Sequence, residues 1–512
     1  MAEQLLTTTI QAPGFMGLNR QDSSVGLDNG YATVADNCII DKFGRIGSRK
    51  GWTPKHSSLA ALAGDVQAIG ELIDNSGNSY IVAAGSNKLF KLVGSTLTEL
   101  TYGGGGVAPT ITASNWQMAA LNGCLYLYQV GHDPLVFDPA VSTTTYRRIS
   151  EKTGYLGTVQ HSNCVISAYG RTWSANTSTD KNTIQFSDLK AGHVLNTGTS
   201  GTLDVGQIWP NGADEIIALA AHNGFLIIFG RRQTLIYQGA RDPSTMSLYD
   251  AISGIGCTSR DSVAVTGGDI IFLSDTGVRA LMRTIQEKSA PMREISLNIT
   301  DDLVDDLALE NLDNIKAVYS DKYAFYLLSL PVSNKVYCFD MRTTLQNGAA
   351  RTTIWPSISP KAFCYTRSKE LLFGMNLFIG KHDGYLDNNT PYRVKYYTNY
   401  FDFGSPTALK ILKKVNITFV GGNGADVSIK YGFDYGNTFY SRNYSLGDTS
   451  VAEYGIAEYG IANYTAGAVF DNKSIQASGT GNVLQLGVET MVEGVAISIQ
   501  KIDCYVKAGR TR

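Results

Sequence analysis

The sequence has few of the residues on which most protein chemistry depends. Its 512 residues include only six histidines, and no two of them have the spacing typical of zinc ligands. The G-x-S-x-G, H-E-x-x-H and P-loop motifs are all missing. These absences exclude the commonest sequence signatures of hydrolases, zinc peptidases and nucleotide-binding enzymes. We therefore expect no catalytic residue, no metal ligand and no bound cofactor.

Cysteine is also sparse and irregularly placed. No C-x-x-C pair occurs, and Cys124, Cys164 and Cys338 lie within apolar runs typical of strands. An odd number of scattered cysteines predicts small buried thiols in a chain that folds in a reducing cytoplasm, and argues against a disulfide framework. The seven are Cys38, Cys124, Cys164, Cys257, Cys338, Cys364 and Cys504.

Charge and long apolar runs are limited as well. Charged residues make up 17% of the chain and the net charge is −2, so the chain lacks the basic excess of proteins that bind duplex DNA through its phosphates. No apolar run approaches the roughly 20 residues that a membrane helix needs, and no basic-then-apolar segment opens the chain. We expect neither a membrane segment nor a secretion signal.

Turn-forming and strand-forming residues, in contrast, are abundant. There are 53 glycines and 28 tyrosines, a composition typical of an all-β protein. One pattern recurs: a strand, a tight turn such as Asn122-Gly123 or Asn223-Gly224, an apolar strand, a looser turn and a third strand. Asn-Gly favours tight hairpins because the common two-residue turns need positive φ. The clearest copies are residues 120–138, 218–239, 263–280 and 317–340.

Three looser copies, at 68–92, 159–188 and 364–384, raise the total to about seven units spaced roughly 45 to 50 residues apart, the range in which propeller blades repeat. Packing such sheets radially buries both faces of each one. The pattern predicts a β-propeller of about six to seven blades over residues 61–395. One helix is expected at 296–312, with Leu303, Leu307 and Leu309 near one face, Thr300 as its N-cap and its carboxylates in solvent.

The two ends of the chain differ from the repeats. Residues 1–60, with apolar residues such as Phe15 and Leu18 dotted singly among turn formers, predict an extended arm and the first propeller strands. We expect part of this arm to close a blade and the rest to reach a subunit boundary or a partner. A hairpin is expected with its turn at Phe43-Gly44. Alternating strands over 396–512 predict a C-terminal antiparallel β-sandwich.

A short tandem repeat within this C-terminal region, "VAEYGIAEYGIANY", places tyrosines five residues apart. That period fits neither a helix nor a strand. Two interpretations stay open: a packed loop, or an intersubunit or ligand contact, since tyrosine is favoured at interfaces. The residues concerned are Tyr454, Tyr459 and Tyr464.

The segment 434–439, "DYGNTF", resembles the D-x-G-x-T-F/W hairpin of sialidase-type propellers. In that family the motif is a structural turn away from the active site, and here it lies outside the repeats. We interpret Asp434 as an aspartate that caps its own turn by accepting from local backbone amides.

A broader resemblance covers most of the chain. Residues 17–52, "GLNRQDSSVGLDNGYATVADNCIIDKFGRIGSRKGW", are similar to the arm that precedes the propeller in tail proteins of short-tailed bacteriophages. The sandwich segment is similar at residues 401–404, Lys413-Lys414 and Asp434-Tyr435-Gly436. Arm, propeller and sandwich together resemble the tail nozzle, also called the tail hub or packaged-DNA stabilisation protein.

The resemblance implies a structural virion protein of the phage tail, assembled in the host cytoplasm, and not an enzyme. Nozzle proteins form a homohexameric ring below the portal and the head-to-tail adaptor protein. They extend the DNA-ejection channel, help to retain packaged DNA and carry tail fibres or tailspikes. The near-neutral charge suits a wall past which double-stranded DNA slides without sequence-specific binding.

Two other functions remain open from the sequence. A glycan-binding or sialidase-like, glycoside-hydrolysing propeller would need carboxylates or aromatic residues converging at the mouth of the propeller channel. A receptor-binding tail protein would carry long loops at one end.

Overall fold

A computed structural model describes residues 5–24, 26–112, 115–281, 294–436, 438–447 and 470–509. Over residues 66–382, together with the earlier strand Trp52–Pro54, short strands form seven groups, antiparallel within each group and joined mostly by tight turns. Asn122 and Gly123 have φ of 48° and 74°, as the predicted hairpin turn requires. The strands are Val66–Ile73, Ser79–Gly85, Lys88–Val93 and Thr96–Tyr102 in blade 1; Gln117–Leu121, Cys124–Tyr128, Leu135–Phe137 and Thr145–Arg148 in blade 2; Cys164–Ala168, Arg171–Ala175, Thr183–Phe186 and Gly201–Asp204 in blade 3; Ile216–His222, Phe225–Gly230, Gln233–Gln238 and Ser247–Ser253 in blade 4; Ala264–Val265, Ile270–Ser274 and Gly277–Ala280 in blade 5; Lys316–Ser320, Phe325–Leu330, Lys335–Thr344 and Ala350–Pro356 in blade 6; and Ala362–Tyr365, Leu371–Gly374, Ile379–His382 and Trp52–Pro54 in blade 7.

The seven blades close into a ring. The first strand of each blade contacts the first strand of the next, and the first strand of blade 7 contacts that of blade 1. Apolar side chains fill the layers between neighbouring blades, as Leu127 does between blades 1 and 2 and Phe272 between blades 4 and 5. The chain therefore contains a seven-bladed β-propeller, which confirms the predicted fold class.

An N-terminal strand completes the last blade. Trp52–Pro54 pairs antiparallel with Ile379–His382, so that Trp52 lies opposite His382 and Pro54 opposite Gly380. This confirms that part of the N-terminal segment closes a blade. Opening the ring at blade 7 would break backbone hydrogen bonds as well as side-chain packing.

The rest of the described arm packs on its own chain, and the expectation that part of it reaches a subunit boundary or a partner stays a prediction. Leu5–Gln11 pairs with the last strand of the chain, Ile497–Ala508. Phe15 and Leu18 are fully buried in the main apolar core. The physical reason is that the long C-terminal strands leave edge hydrogen-bonding groups that the arm satisfies. The predicted hairpin forms between Cys38–Ile40 and Ile46–Ser48.

Two antiparallel sheets form the predicted C-terminal sandwich. Their inner faces share one core, in which Ile417 and Phe419 of one sheet and Ile429 and Val488 of the other are buried. The predicted boundary after residue 395 falls within a strand of the second sheet. Tyr454, Tyr459 and Tyr464 lie outside the described residues. The first sheet contains Phe470–Gln476, Lys410–Gly421, Ile497–Ala508, Leu5–Gln11, Ile46–Ser48, Cys38–Ile40 and Thr480–Gly481; the second contains Tyr31–Asp36, Tyr392–Thr398, Leu484–Val492, Asp426–Phe433 and Tyr440–Ser445.

The propeller and the sandwich are joined by one continuous sheet. The arm strand Tyr31–Asp36 lies between Ala350–Pro356 of blade 6 and Tyr392–Thr398 of the sandwich, and Gly17–Leu18 pairs beside it. At the junction Asp36 pairs with Ile354. The result is a ten-stranded sheet that begins in the propeller and ends at the sandwich edge.

The predicted helix is present but shorter, over Thr300–Leu309, and it follows a 3₁₀ turn at Leu297–Ile299. Leu303 is buried, whereas Leu309 is 69% exposed. Thr300 is the first helical residue and Ile299 occupies the cap, so the predicted N-cap is wrong: the 3₁₀ turn runs directly into the helix. Asp306 is also buried, against Lys335 and Tyr337, and not in solvent.

Further 3₁₀ turns lie at Ile149–Glu151, Pro243–Thr245, Arg260–Ser262 and Leu312–Asn314. Of the helices in the described part of the chain, none has the length and apolar character needed to cross a membrane.

Candidate functional site at the mouth of the propeller channel

The first residues of several inner strands meet around a cavity of about 190 Å³ on the propeller axis. Blades 1, 2, 6 and 7 contribute residues near the beginnings of their first strands, and the 3₁₀ turn before blade 5 contributes two more. One mouth of the channel therefore lies where the inner strands begin. The polar and charged lining residues are Gln67, Gln117, Arg260, Asp261 and Lys316.

Arg260 ties several blades together at this mouth. It lies in the turn Arg260–Ser262, between blades 4 and 5, and only 6% of it is exposed. Its Nη1 donates to the backbone oxygen of Asn163, at 2.5 Å, just before blade 3. Its Nη2 donates to the backbone oxygen of Asn115, at 2.9 Å, just before blade 2. One guanidinium thus holds three inter-blade linkers in place.

Asp261 is the carboxylate partner of this arginine and of a lysine from another blade. It accepts from Arg260 Nε at 3.0 Å and Nη2 at 2.7 Å, from Lys316 Nζ, and from Gln117 Nε2 at 3.4 Å. Desolvation raises the pKa of Asp261, but the two adjacent cations outweigh it and lower that pKa to about 2. The carboxylate is therefore ionised and saturated with hydrogen bonds at neutral pH.

This arrangement is poorly suited to glycoside hydrolysis. That reaction uses two carboxyl groups, one of which must hold a proton near neutral pH. The described lining of the cavity has one carboxylate, Asp261, whose low pKa keeps it unprotonated. In the described ranges no three His, Cys, Asp or Glu side chains come together as a possible metal site.

The prediction that the thiols are buried is confirmed for six of the seven cysteines. Six thiols are buried, Cys364 is partly exposed, and all seven are free. Desolvation is the main cause that raises the pKa of Cys164 to about 12, so this thiol stays protonated at neutral pH.

Among the described residues, the side chain of Asp434 accepts from amides of a different segment, whereas the sequence predicts a cap on its own turn. Its Oδ1 accepts from the backbone nitrogens of Asn482, at 2.6 Å, and Val483, at 3.1 Å, which lie just before the strand Leu484–Val492. The turn is closed instead by its own backbone, in a hydrogen bond from Gly436 N to Phe433 O. The side chain is thus available to join two strands of the sandwich.

A second, more open groove of about 680 Å³ lies on the outer face of the sandwich. At its centre Glu489 accepts from Lys430 Nζ at 2.8 Å and from Tyr397 Oη at 2.6 Å. The hydroxyls of Ser428 and Ser441 are 2.7 Å apart. The described lining of this groove is thus mostly polar.

The sequence analysis did not single out the channel residues. Arg260 and Asp261 lie in "TSRDS", which has the composition of an ordinary surface turn between blades. Lys316 opens the apolar strand "KAVYS", and a charged residue at a strand start is the one local signal that could have marked it. Their meeting depends on ring closure, which no local pattern reveals.

The chain matches no protein-family model and no curated protein. Among solved structures it is similar to YCF48 from Cyanidioschyzon merolae, with 11% identity and a TM-score of 0.39, over 65% of this chain and 99% of that one. It is also similar to the β-propeller domain of Cps50 (Swd1) from Myceliophteria thermophila, with 8% identity and a TM-score of 0.39, over 64% and 98% of the two chains. The extracellular domain of the putative one component system BT4673 from B. thetaiotaomicron is 10% identical, with a TM-score of 0.40, over 83% of this chain and 60% of that one. Such distant likenesses carry no argument about function.

Proposed function

We propose that this protein is a structural component of a short-tailed phage virion, the tail nozzle, and not an enzyme. The observation that carries the proposal is the ten-stranded sheet that joins blade 6 to the sandwich through the arm strand Tyr31–Asp36. The order of arm, propeller and sandwich along the chain is the order in the family that the sequence resembles.

The junction between the propeller and the sandwich has the properties expected of a rigid connection. Asn37 N donates to Ile354 O at 2.8 Å, and Trp355 Nε1 donates to Cys38 O at 3.1 Å. Blades 5 and 6 also share the apolar core of the sandwich, through residues such as Leu273 and Leu328. Domains joined by a sheet and a common core resist relative movement, whereas domains joined by a flexible linker do not.

The mouth of the propeller channel within one subunit also supports a structural role. Its charged groups are engaged with one another and with backbone oxygens, which leaves Asp261 unsuited to acid–base chemistry. A net charge of −2 also avoids the strong phosphate attraction that would hold DNA in place.

The proposed partners follow from the same function. Six copies form the ring, the head-to-tail adaptor protein lies above it and tail fibres or tailspikes attach to it. Double-stranded DNA passes through the lumen of the ring without sequence-specific contacts. The proposed location is the virion tail.

The test is the oligomeric state of the full chain, alone and with a purified portal–adaptor complex. Mass photometry should show six copies joining one portal–adaptor complex, and electron microscopy should show six-fold density below the adaptor. A protein that stays monomeric under both conditions, or that cleaves a fluorogenic sialoside with turnover, would overturn the proposal.

A further inference from the structure

The cavity at the channel mouth carries an unbalanced charge. Its described lining contains two cations, Arg260 and Lys316, and one carboxylate, Asp261. Arg260 is 6% exposed and Lys316 is 8% exposed, so neither charge is well hydrated. The next carboxylate that acts on Lys316 is Asp313, which is exposed on a neighbouring turn. Two buried cations thus share one close carboxylate, and incomplete compensation of a buried charge is costly, which favours a bound anion beside them.

The donors and acceptors around the cavity are also incompletely matched. Lys316 Nζ has three N–H groups, and its acceptors among the described residues are Asp261 Oδ2 and, at 3.4 Å, Asn115 Oδ1. At least one N–H is therefore available to a ligand. On the same lining, the buried Oε1 of Gln67 has no hydrogen-bond partner in the described structure. The site thus offers one cationic donor, and a rotation of the partly exposed Gln67 side chain, which lines the cavity, would present one neutral acceptor.

We propose that this cavity binds a free, phosphate-sized oxyanion that still carries a proton. Inorganic phosphate near neutral pH fits both requirements: its oxygens accept from Lys316, and its P–OH group donates to Gln67. Sulfate has similar size and charge but lacks the O–H group at this pH. The cavity volume far exceeds the roughly 10–15 Å³ that one water molecule needs.

The cavity is accessible to a small anion from solvent and unsuited to the phosphates of DNA. Gln67, Gln117 and Phe363 remain partly exposed around the cavity, which leaves a path from the mouth. A backbone phosphodiester of duplex DNA carries no P–OH group near neutral pH, so it lacks the donor that Gln67 would accept.

The test is titration of the full chain with sodium phosphate or sodium sulfate at matched ionic strength, by isothermal calorimetry and thermal unfolding. Both salts stabilise proteins non-specifically, so the signal is the saturable part. We expect saturable binding of phosphate, and about tenfold weaker binding of sulfate, the difference that one hydrogen bond to a charged ligand supplies. A duplex oligonucleotide should not compete with phosphate.

Two variants separate the contributions. Lys316→Met should abolish saturable binding of both salts, whereas Gln67→Leu should retain binding but lose the preference for phosphate over sulfate. Equal, non-saturating responses to the two salts in the wild type would overturn the proposal. If Lys316→Met does not fold, the wild-type preference and its loss in Gln67→Leu decide the question, because Gln67 is partly exposed and has no structural hydrogen bond at Oε1.

Discussion

Lys316, the first residue of blade 6, donates a hydrogen bond to the carboxylate of Asp261, which lies just before blade 5. The two residues are 55 positions apart, yet the propeller places them side by side on its axis. Arg260 completes the group and reaches back to the linkers before blades 2 and 3. Inter-blade linkers and a strand start are therefore joined by electrostatics as well as by apolar packing.

Removing the shared carboxylate should destabilise the fold strongly. Asp261→Ala leaves two buried cations without their partner, and breaking a buried ion pair from one side typically costs about 3–5 kcal/mol. Urea unfolding should show this loss. The matched control is Asp275→Ala, whose partner Arg231 is 34% exposed, so a loss below about 1 kcal/mol is expected. Similar losses in the two variants would show that the channel cluster contributes little.

Stability should fall in mild acid because of one histidine. His382 is buried among Trp355, Phe373 and Tyr323, and desolvation, with help from Lys50 and Arg49, lowers its pKa to about 3. The unfolded chain therefore binds this proton more readily, and stability declines as the pH falls from about 6.5 towards 3. At pH 5 the loss relative to neutral pH is about 2 kcal/mol.

This pH effect can be isolated by substitution. His382→Phe keeps an aromatic ring in the apolar site and should flatten the acid limb of a stability-versus-pH curve measured by chemical denaturation. The control His161→Phe alters a residue that is 46% exposed and should leave that limb unchanged. An identical acid limb in wild type and His382→Phe would contradict the assignment.

Closure of blade 7 should depend on the small size of Gly380. A Cβ atom there would lie 2.6 Å from Cε3 of Trp52, a rigid ring in the closing strand. Gly380→Ala should therefore lower the free energy of unfolding by about 1–3 kcal/mol. Gly105→Ala is the matched control, since nothing lies within 4 Å of the added atom. Thermal unfolding that ranks the two variants equally would argue against a tight contact at the closure.

Interrupting the shared sheet should separate the unfolding of the two domains. Val34→Pro alters the strand Tyr31–Asp36 opposite Tyr397, two residues before the pair Asp36–Ile354, and loses a ladder hydrogen bond at a cost of about 1–3 kcal/mol. Calorimetry should show one transition in the wild type and two in the variant. Asn75→Pro, in an exposed turn, serves as the control and should keep one transition. A single transition in Val34→Pro would mean that the apolar core alone couples the domains.

Local sequence patterns are enough to predict the repeating unit of the propeller. Asn122-Gly123 and Asn223-Gly224 mark hairpins because their turn conformation depends on residues that are adjacent in the chain. Apolar runs between such turns show which segments form strands, and their spacing indicates the blades. The burial of individual helix residues was harder to predict. Leu309 is exposed and Asp306 is buried, because packing of the helix against blade 6 determines which of its faces is covered.

Which distant groups meet depends on the completed fold and could not be predicted from local sequence. Many strands could accept the arm strand Tyr31–Asp36, and the unpaired edges of blade 6 and the sandwich selected its place. The carboxylate of Asp434 was free to bond any nearby amide, and the fold placed those of Asn482 and Val483 beside it. Likewise Asp261 and Lys316 meet because ring closure brings the starts of the inner strands to one point. Turn geometry is local and is encoded locally, whereas the partner of a charge or of a strand edge depends on what the completed fold places next to it.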